Sequence, residues 1–411
     1  MSSLKYWVWL SSLSGVGAVA AGALLRHFGT PEKVFSASSI EFKDVSGIKP
    51  AHISRLSRKN IEIADKILSS CEESGCRVIT LQDAEYPERL RNIYDPPVVL
   101  YIRGILPVID DEAVVAVVGT RGCTPYGISV AENTGYQLAR HGLIVATGLA
   151  RGIDSFATRG ALRGSRRVIG VIGSGLDVIY PPENKTLFDD VASGGVIISE
   201  YPPGTPPVAT HFPARNRILS GISLGVAVIE APKKSGALIT AARALEQGRD
   251  VFALPGNVDA RNSEGSNALL REGAIPILSG EDVINEYAEL FPDKITVGID
   301  PPPPDIKAAE RAKNVLRNRG ATNRDDVKKE IDNEQAVDYI DLDKIIRMLA
   351  DVERTVAQTI GTAALHIDEI ILRSNLSAQQ VLTSLTMLEI KGYAVRSESG
   401  IWKLENAKPE V

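Results

Sequence analysis

Cysteine is scarce in this sequence, with only three residues in a chain of 411. A small and odd number of cysteines excludes the disulfide framework of a small secreted domain and fits a reducing cytoplasm. Cys71 and Cys76 have no second pair of cysteine or histidine ligands at metal-binding spacing, which argues against a zinc site. We therefore expect a cytoplasmic protein that holds no metal.

Long hydrophobic runs are also missing. The sequence has no stretch of about eighteen uninterrupted apolar residues, so it predicts no membrane span. The N-terminus is apolar, but Gly15, Gly17 and Gly22 interrupt it and no small-residue cleavage site follows. We do not interpret it as an export signal.

Positive charge is not in excess, because the formal net charge is −5. This counts against nucleic-acid binding through a wholly basic surface. Any such site must be a local cluster of lysine and arginine. Aromatic residues make up only 5% of the chain, which leaves few candidates for stacking on bases. The candidates near predicted strand ends, part of which we expect in the core, are Tyr126, Phe156, Tyr180, Tyr201 and Phe212.

Several motifs of catalysis and cofactor binding are absent. The dipeptide Gly-Lys never occurs, which excludes a P-loop ATPase. The first predicted strand-to-helix turn, GTRGCTPYG, lacks the G-x-G-x-x-G pattern of dinucleotide-binding enzymes. The five histidines form no H-x-x-x-H or H-E-x-x-H pair, and Ser174 is not part of a G-x-S-x-G motif. We predict no catalytic centre and no cofactor.

What the sequence does contain, between residues 78 and 290, is an alternation of short apolar runs with helix-like stretches. Each run is rich in β-branched residues, which is typical of a parallel strand that is buried on both faces. This alternation predicts an α/β fold with a doubly wound parallel sheet. The predicted strands are 113–119, 143–148, 167–173, 195–200, 224–231 and 250–256. The predicted helices include 127–141, 154–164, 184–193, 212–220 and 236–248.

Glycine together with a polar or basic residue follows nearly every predicted strand. In such sheets, ligands bind at the carboxyl ends of the strands. Glycine lets backbone N–H groups approach an anion, and arginine supplies a charged donor fork for phosphate. A single glycine turn is usually structural, but several on one edge favour an extended anion-binding groove. The candidate residues of this groove are Gly119, Thr120, Arg121, Arg151, Gly173, Ser174, Gly175, Lys185, Arg215, Arg217 and Lys233.

Several blocks of the sequence resemble the DprA/Smf family over about 180 residues. They include VAVVGTRGCTPYG, ATGLARGIDSFATRGAL, GVIGSGLDVIYPPENKTL, HFPARNRILSGIS and VIEAPKKSGALITAARALEQGRDVFALPGN. The resemblance implies an extended Rossmann-like fold that binds and protects single-stranded DNA. It also implies that the protein helps load the RecA recombinase during natural transformation and recombination.

The resemblance also implies roles for individual residues. Arg121 and Lys185 match DNA-contacting positions of the family, and Arg151, Arg215 and Arg217 are further candidates for contacts with phosphate. The family forms a homodimer through the stretch that matches EGSNALLREGAIPI, and it meets RecA in the same region. The candidate interface residues are Asn267, Leu270, Arg271 and Ile275.

The flanking segments resemble the family as well, and together they predict four segments. Residues 1–75 resemble a helical helix-hairpin-helix (SAM-like) domain, which either contacts DNA phosphates or only packs. The resemblance implies that residues 76–291 form an extended Rossmann-like domain that binds single-stranded DNA, and residues 292–340 are predicted to be a charged, proline-rich linker. Residues 341–411 resemble a winged-helix domain. Its predicted helix has few cations, so we favour protein contact or packing over reading of the major groove.

Two other functions stay open on the sequence. The first is an enzyme, a nucleoside-monophosphate phosphoribohydrolase of the related lysine-decarboxylase-like group, although the P-G-G-x-G-T-x-x-E run of those relatives is absent. Release of free adenine from AMP would identify it. The second is a protein-interaction adaptor, which would fail to shift any single-stranded oligonucleotide at low salt.

Overall fold

The computed structural model describes residues 3–164, 167–298, 351–360, 365–374, 376–390, 394–396 and 401–404. The chain divides into two compact units, one before and one after the boundary between residues 324 and 325. From residue 299 onward, the predicted linker lies outside the described residues. Among the described helices, none combines the length and apolar character needed to cross a bilayer.

The first unit begins with five helices, which pack through the buried side chains of Trp9, Leu10 and Leu24. Gly15, between the first two helices, has a φ of +83° and Gly47 has a φ of +85°. Both turns therefore use a left-handed backbone conformation that favours glycine. The helices are α1 (Leu4–Ser12), α2 (Ala18–Phe28), α3 (Pro31–Ser36), α4 (Pro50–Leu56) and α5 (Glu62–Ser74).

A nine-stranded sheet follows, in the order β1-β2-β6-β5-β4-β3-β7-β8-β9. The strands from β6 to β9 in this order are parallel, while β2 is antiparallel to both β1 and β6. The predicted doubly wound sheet is confirmed. Its strands are β1 (Arg77–Thr80), β2 (Val99–Gly104), β3 (Val114–Val118), β4 (Ile144–Thr147), β5 (Val168–Ile172), β6 (Val196–Ser199), β7 (Gly225–Val228), β8 (Asp250–Ala253) and β9 (Ile275–Pro276).

Helices cover both faces of this sheet. On β3, Val115 and Val117 belong to the apolar core on one face, and Val114 and Ala116 to the core on the other. Burial on both faces explains why the strand sequences have no polar alternation. The helices are α6 (Glu88–Arg91), α7 (Pro125–Arg140), α8 (Ile153–Arg163), α9 (Lys185–Gly194), α10 (His211–Gly221), α11 (Gly236–Glu246), α12 (Glu264–Arg271) and α13 (Gly280–Ala288).

The second unit has its own core, which includes Val356, Leu385 and Trp402. Its three-stranded antiparallel sheet has the order β10-β12-β11. The described elements are α14 (Asp351–Ile360), β10 (Leu365–His366), α15 (Ile367–Ser374), α16 (Ala378–Ile390), β11 (Ala394–Arg396) and β12 (Ile401–Leu404).

Candidate functional site

The loops that follow β3, β4 and β5 meet at one edge of the sheet, because the carboxyl ends of parallel strands face the same way. Arg121 comes from the loop after β3 and Arg151 from the loop after β4. Both side chains line one small pocket, whose walls are Arg121, Gly148, Ala150, Arg151, Tyr180, Pro181 and Phe212. Two of the predicted cations therefore lie together.

Aromatic side chains accompany these cations. The Arg121 guanidinium lies over the Phe212 ring at 5.2 Å from its centroid, a favourable cation–π geometry. The ring of Tyr180 lies 5.6 Å from that of Phe212 at an angle of 43°. Arg121 is exposed, while Tyr180 and Phe212 are half-buried. The pocket therefore offers a positive charge beside two partly accessible ring surfaces.

Helix α10, which carries Phe212, is fixed at its start by His211. The ring of His211 stacks on that of Tyr201, with centroids 4.0 Å apart and an angle of 18°. Its Nδ1 lies 3.1 Å from the carbonyl oxygen of Gly173, at the end of β5. A Cβ added at Gly173 would lie 3.4 Å from His211, which is ordinary van der Waals contact, so His211 packs directly against the end of β5. The aromatic part of the site is thus held against the sheet.

The segment around Lys185 is tied to the same edge. The side-chain amide of Asn184 donates to the carbonyl oxygen of Leu149 and to the hydroxyl of Ser155, both at 2.9 Å. These bonds hold the turn before α9 against the loop after β4. Arg121, Arg151 and Lys185 therefore belong to one edge of the sheet.

Arg151 and Lys185 each pair with a carboxylate at the surface. Arg151 contacts Glu183, with 3.2 Å between Nη2 and Oε2, and Lys185 Nζ lies 2.7 Å from Asp189 Oδ2. The hydrogen bond from Lys185 also lowers the pKa of Asp189. Exposed pairs of this kind contribute about 0–1 kcal/mol to stability, so an anionic ligand competes with them at little cost.

Arg215 lies beneath the pocket rather than in it. Its Nη1 donates to the carbonyl oxygen of Gly148 at 2.9 Å, while the Gly148 N–H donates to Asp154 at 2.9 Å. Burial lowers the pKa of Arg215 to about 10 and raises the pKa of Asp154. The two side chains hold the loop after β4 from inside. In this buried position Arg215 does not reach a phosphate at the surface, contrary to the expectation from the sequence.

Arg217 is also buried, with 6% of its surface exposed. Its Nη2 donates to both carboxylate oxygens of Glu200, at 2.7 and 2.9 Å, and its Nε donates to Asp95 at 3.1 Å. A guanidinium enclosed by two carboxylates has no free donor fork for phosphate. The expectation that Arg217 contacts DNA is therefore at odds with the structure.

The polar groups of the predicted glycine loops are largely used by the protein itself. The Thr120 N–H donates to the main-chain oxygen of Glu230 at 2.7 Å, and the Thr120 hydroxyl accepts from Gly122. The Ser174 hydroxyl donates to the carbonyl oxygen of Val178 at 2.9 Å. These bonds occupy groups that were expected to hold phosphates, so the residues shape the loops instead.

Gly175 and Gly119 also make contacts within the protein. The Gly175 N–H donates to the carbonyl oxygen of Thr205 at 2.9 Å. A Cβ at Gly119 would clash with the side chain of Ile153. At these two positions glycine allows loops to pack closely. The sequence pattern instead predicts that these glycines help to bind an anion.

The other predicted residues are at the β7–β9 side of the sheet. Lys233 follows β7 and is exposed. Among the candidate interface residues, Arg271 is exposed, and Leu270 and Ile275 are half-buried. The side chain of Asn267 instead exchanges two hydrogen bonds with the main chain of Gly256, at 3.0 and 3.1 Å.

Two residues of the site were not singled out from the sequence. Asn184 organises the turn before Lys185, and Glu230 carries a buried carboxylate at the start of α7. Asn184 lies in the PPENK block, whose prolines mark a turn, but its partners are about 30 residues away. Glu230 ends an apolar run, and a charged residue in such a position is a signal of an internal partner.

The family model "DNA recombination-mediator protein A" matches residues 77–288, and the model "DprA winged helix domain" matches residues 343–400. The latter match confirms the predicted winged-helix domain.

Individual relatives agree with these matches. Protein Smf of Synechocystis is 39% identical over 69% of this chain and 72% of its own length. DNA processing protein DprA of Bacillus subtilis is 41% identical over 54% of this chain and 75% of its own. The solved structure of Streptococcus pneumoniae DprA is 37% identical, covers 69% of this chain and 97% of its own, and superposes with a TM-score of 0.62. This chain therefore belongs to the DprA/Smf family of DNA-processing proteins.

Proposed function

We propose that this protein binds single-stranded DNA at the pocket formed by Arg121, Arg151 and Phe212, with Lys185 at its margin. The observation that carries the proposal is the placement of the exposed Arg121 guanidinium over the Phe212 ring. Phosphates and bases occur together along single-stranded DNA, and a cation beside an aromatic ring suits both.

In this proposal, side chains and not the backbone N–H groups of the loops contact the phosphates. Arg121 is exposed and has no carboxylate partner among the described residues. The surface pairs of Arg151 and Lys185 are weak enough for phosphate to replace the carboxylates. Arg215 is too deep for contact, and its charge is balanced by the neighbouring carboxylate of Asp154.

The base contacts fall to Phe212 and Tyr180. Stacking of a base on an aromatic ring contributes about 1–3 kcal/mol and tolerates any sequence, since every base has a π-face. A strand that lies across this edge places its backbone towards the cations and its bases on the rings. The proposal therefore predicts binding without base specificity.

The protein acts by binding rather than by catalysis in this proposal. Asp154, whose pKa is raised by burial, accepts a hydrogen bond from a loop N–H and is fully enclosed. A buried carboxylate in this role is not available as a general acid or base for a ligand. The phosphoribohydrolase alternative requires adenine release from AMP, and we expect none.

The proposal includes a cellular role: the protein protects incoming DNA in the cytoplasm and helps load RecA during natural transformation and recombination. It also includes a homodimer. Support for the dimer comes from β9, which pairs only with β8 among the described strands. Near this edge, Leu278 is 79% exposed, and Leu270 and Ile275 are partly so. Two copies joined here would present two pockets to one strand and strengthen binding through avidity.

A salt titration of oligonucleotide binding tests the DNA proposal. If about four phosphates are engaged, log affinity falls against log salt with a slope near −3. Arg121→Ala should weaken binding about tenfold for every sequence and make the slope shallower by about 1.

Arg243→Ala is the matched control for this titration. Arg243 is a half-buried arginine in the last turn of α11, away from the carboxyl edge, and its removal changes the net charge equally. Equal losses in the two variants, or a slope near zero in the wild type, would overturn the proposed site.

A further inference from the structure

The crevice between β3 and β7 lies at the same edge of the sheet but is built differently from the pocket. The chain leaves β3 towards β4 on one side, while β7 lies on the other, so the strand order reverses at β3. Doubly wound sheets bind phosphate-bearing ligands at such a reversal. Helix α7 begins here, and its positive N-terminus attracts an anion.

The side chain of Glu230 fills this position. Glu230 follows β7 and is 4% exposed. Its carboxylate accepts hydrogen bonds from the backbone N–H of Thr124 at 2.9 Å and from the Thr124 hydroxyl at 2.5 Å. The side-chain amide of Asn262 lies 3.5 Å from the same group. The Thr124 hydroxyl caps α7 by accepting from the Gly127 N–H at 3.1 Å. The Glu230 carboxylate, an anion that belongs to the chain, lies directly behind this cap and holds it.

The surrounding backbone is shaped for this carboxylate. A Cβ added at Gly127, in the first turn of α7, would overlap the Glu230 carboxyl group. Glycine in phosphate-binding loops serves the same purpose, because it lets an anion reach the backbone N–H groups. The Thr120 N–H also donates to the main-chain oxygen of Glu230 at 2.7 Å, which continues the pairing of β3 with β7 beyond the strand ends.

We propose that Glu230 is an internal anion that excludes phosphate groups from the β3–β7 crevice and so determines which anions this edge accepts. A phosphate would have to displace the carboxylate or lie beside it, where like charges repel. The exposed cations on the β4 side, Arg121 and Arg151, are then the anion-binding groups of the edge. This inference does not depend on DNA binding, since it concerns a different crevice and a different ligand.

The test removes the carboxylate and supplies inorganic phosphate. Glu230→Ala should unfold at a higher temperature in phosphate than in chloride of equal ionic strength. The shift should be on the order of 3 °C once phosphate exceeds its Kd about tenfold. Isothermal titration of the same variant with phosphate should then give one additional site relative to the wild type.

Two control variants test whether the response to phosphate is due to loss of the Glu230 charge, and not to a shorter side chain or to loss of any buried carboxylate. Glu230→Asp keeps the charge with a shorter side chain and should show the wild-type response to phosphate. Glu132→Gln neutralises another buried carboxylate, on the same helix but away from the crevice, and should also respond as the wild type does. An equal response in all four proteins, or a phosphate site in the wild-type crevice, would overturn the inference.

If Glu230→Ala does not fold in either buffer, Glu230→Asn takes its place. Asparagine keeps an acceptor for Thr124 but removes the charge and one methylene group. It should show a smaller stabilisation by phosphate in the same direction. Absence of any phosphate-specific stabilisation in folded Glu230→Asn would count against the internal anion as decisively as the first comparison.

Discussion

Four arginines near the carboxyl edge of the sheet occupy two regions with different surroundings. Arg121 and Arg151 extend from strand-end loops and are exposed, while Arg215 and Arg217 lie on α10 and are buried. The exposed pair contacts a ring and a surface carboxylate. The buried pair holds a main-chain oxygen and two carboxylates. The same residue type is thus accessible at the surface in one region and engaged in internal contacts in the other.

The largest expected effect is on stability in the buried region. Arg217→Ala leaves Glu200 and Asp95 without the cation that both contact, and it should lower the free energy of unfolding by about 3 kcal/mol. Urea denaturation measures this loss. Arg121→Ala, as the exposed counterpart, should change stability by less than about 0.5 kcal/mol. Similar losses in both variants would remove the distinction between the regions.

The next effect concerns binding in the exposed region. Phe212→Ala removes the ring beneath Arg121 and a stacking surface, so affinity for single-stranded DNA should fall about tenfold. Fluorescence anisotropy with oligonucleotides of differing base composition measures this change.

A matched control for this variant is Tyr126→Ala, which removes an exposed aromatic residue in the first turn of α7. Tyr126 does not line the pocket, and its removal should leave affinity unchanged. Weakening by Tyr126→Ala alone would move the stacking surface from α10 to α7.

The smallest expected effect on DNA affinity comes from the surface ion pair between Lys185 and Asp189, whose two partners should change affinity in opposite directions. Lys185→Ala should weaken binding about threefold, whereas Asp189→Asn should strengthen it about twofold because it frees the lysine. Both changes are measured at low salt and should vanish at high salt. Weakening by Asp189→Asn would show that the pair itself positions the site.

The strands from β3 to β8 were predictable because burial on both faces leaves continuous apolar runs. Strands β1 and β2 were not singled out, since they extend the sheet in an antiparallel direction outside the strand–helix alternation. Strand β9 has only two residues, too few to form a pattern. Strand length and regular strand–helix alternation thus determined which strands could be predicted from the sequence.

The candidate site was predictable only in part. Arg121 and Arg151 follow strand ends and point outward, as a loop cation was expected to do. The internal pairing of Arg217 could not be predicted because its partner Asp95 lies 122 positions away in the sequence. The internal contacts of the glycines could not be predicted because the sequence does not tell whether a carboxylate or a neighbouring side chain already fills the space beside each of them.

The bonds from Asn184 to Leu149 and Ser155 have a consequence for the kinetics of ligand capture. Because they fasten the turn before α9 to the loop after β4, the backbone positions that carry Arg151 and Lys185 are set before any ligand arrives. Association then carries little entropic penalty for ordering these loops. For the proposed DNA ligand, capture should be fast and governed by long-range attraction, while release should depend on how many of these groups the ligand has engaged.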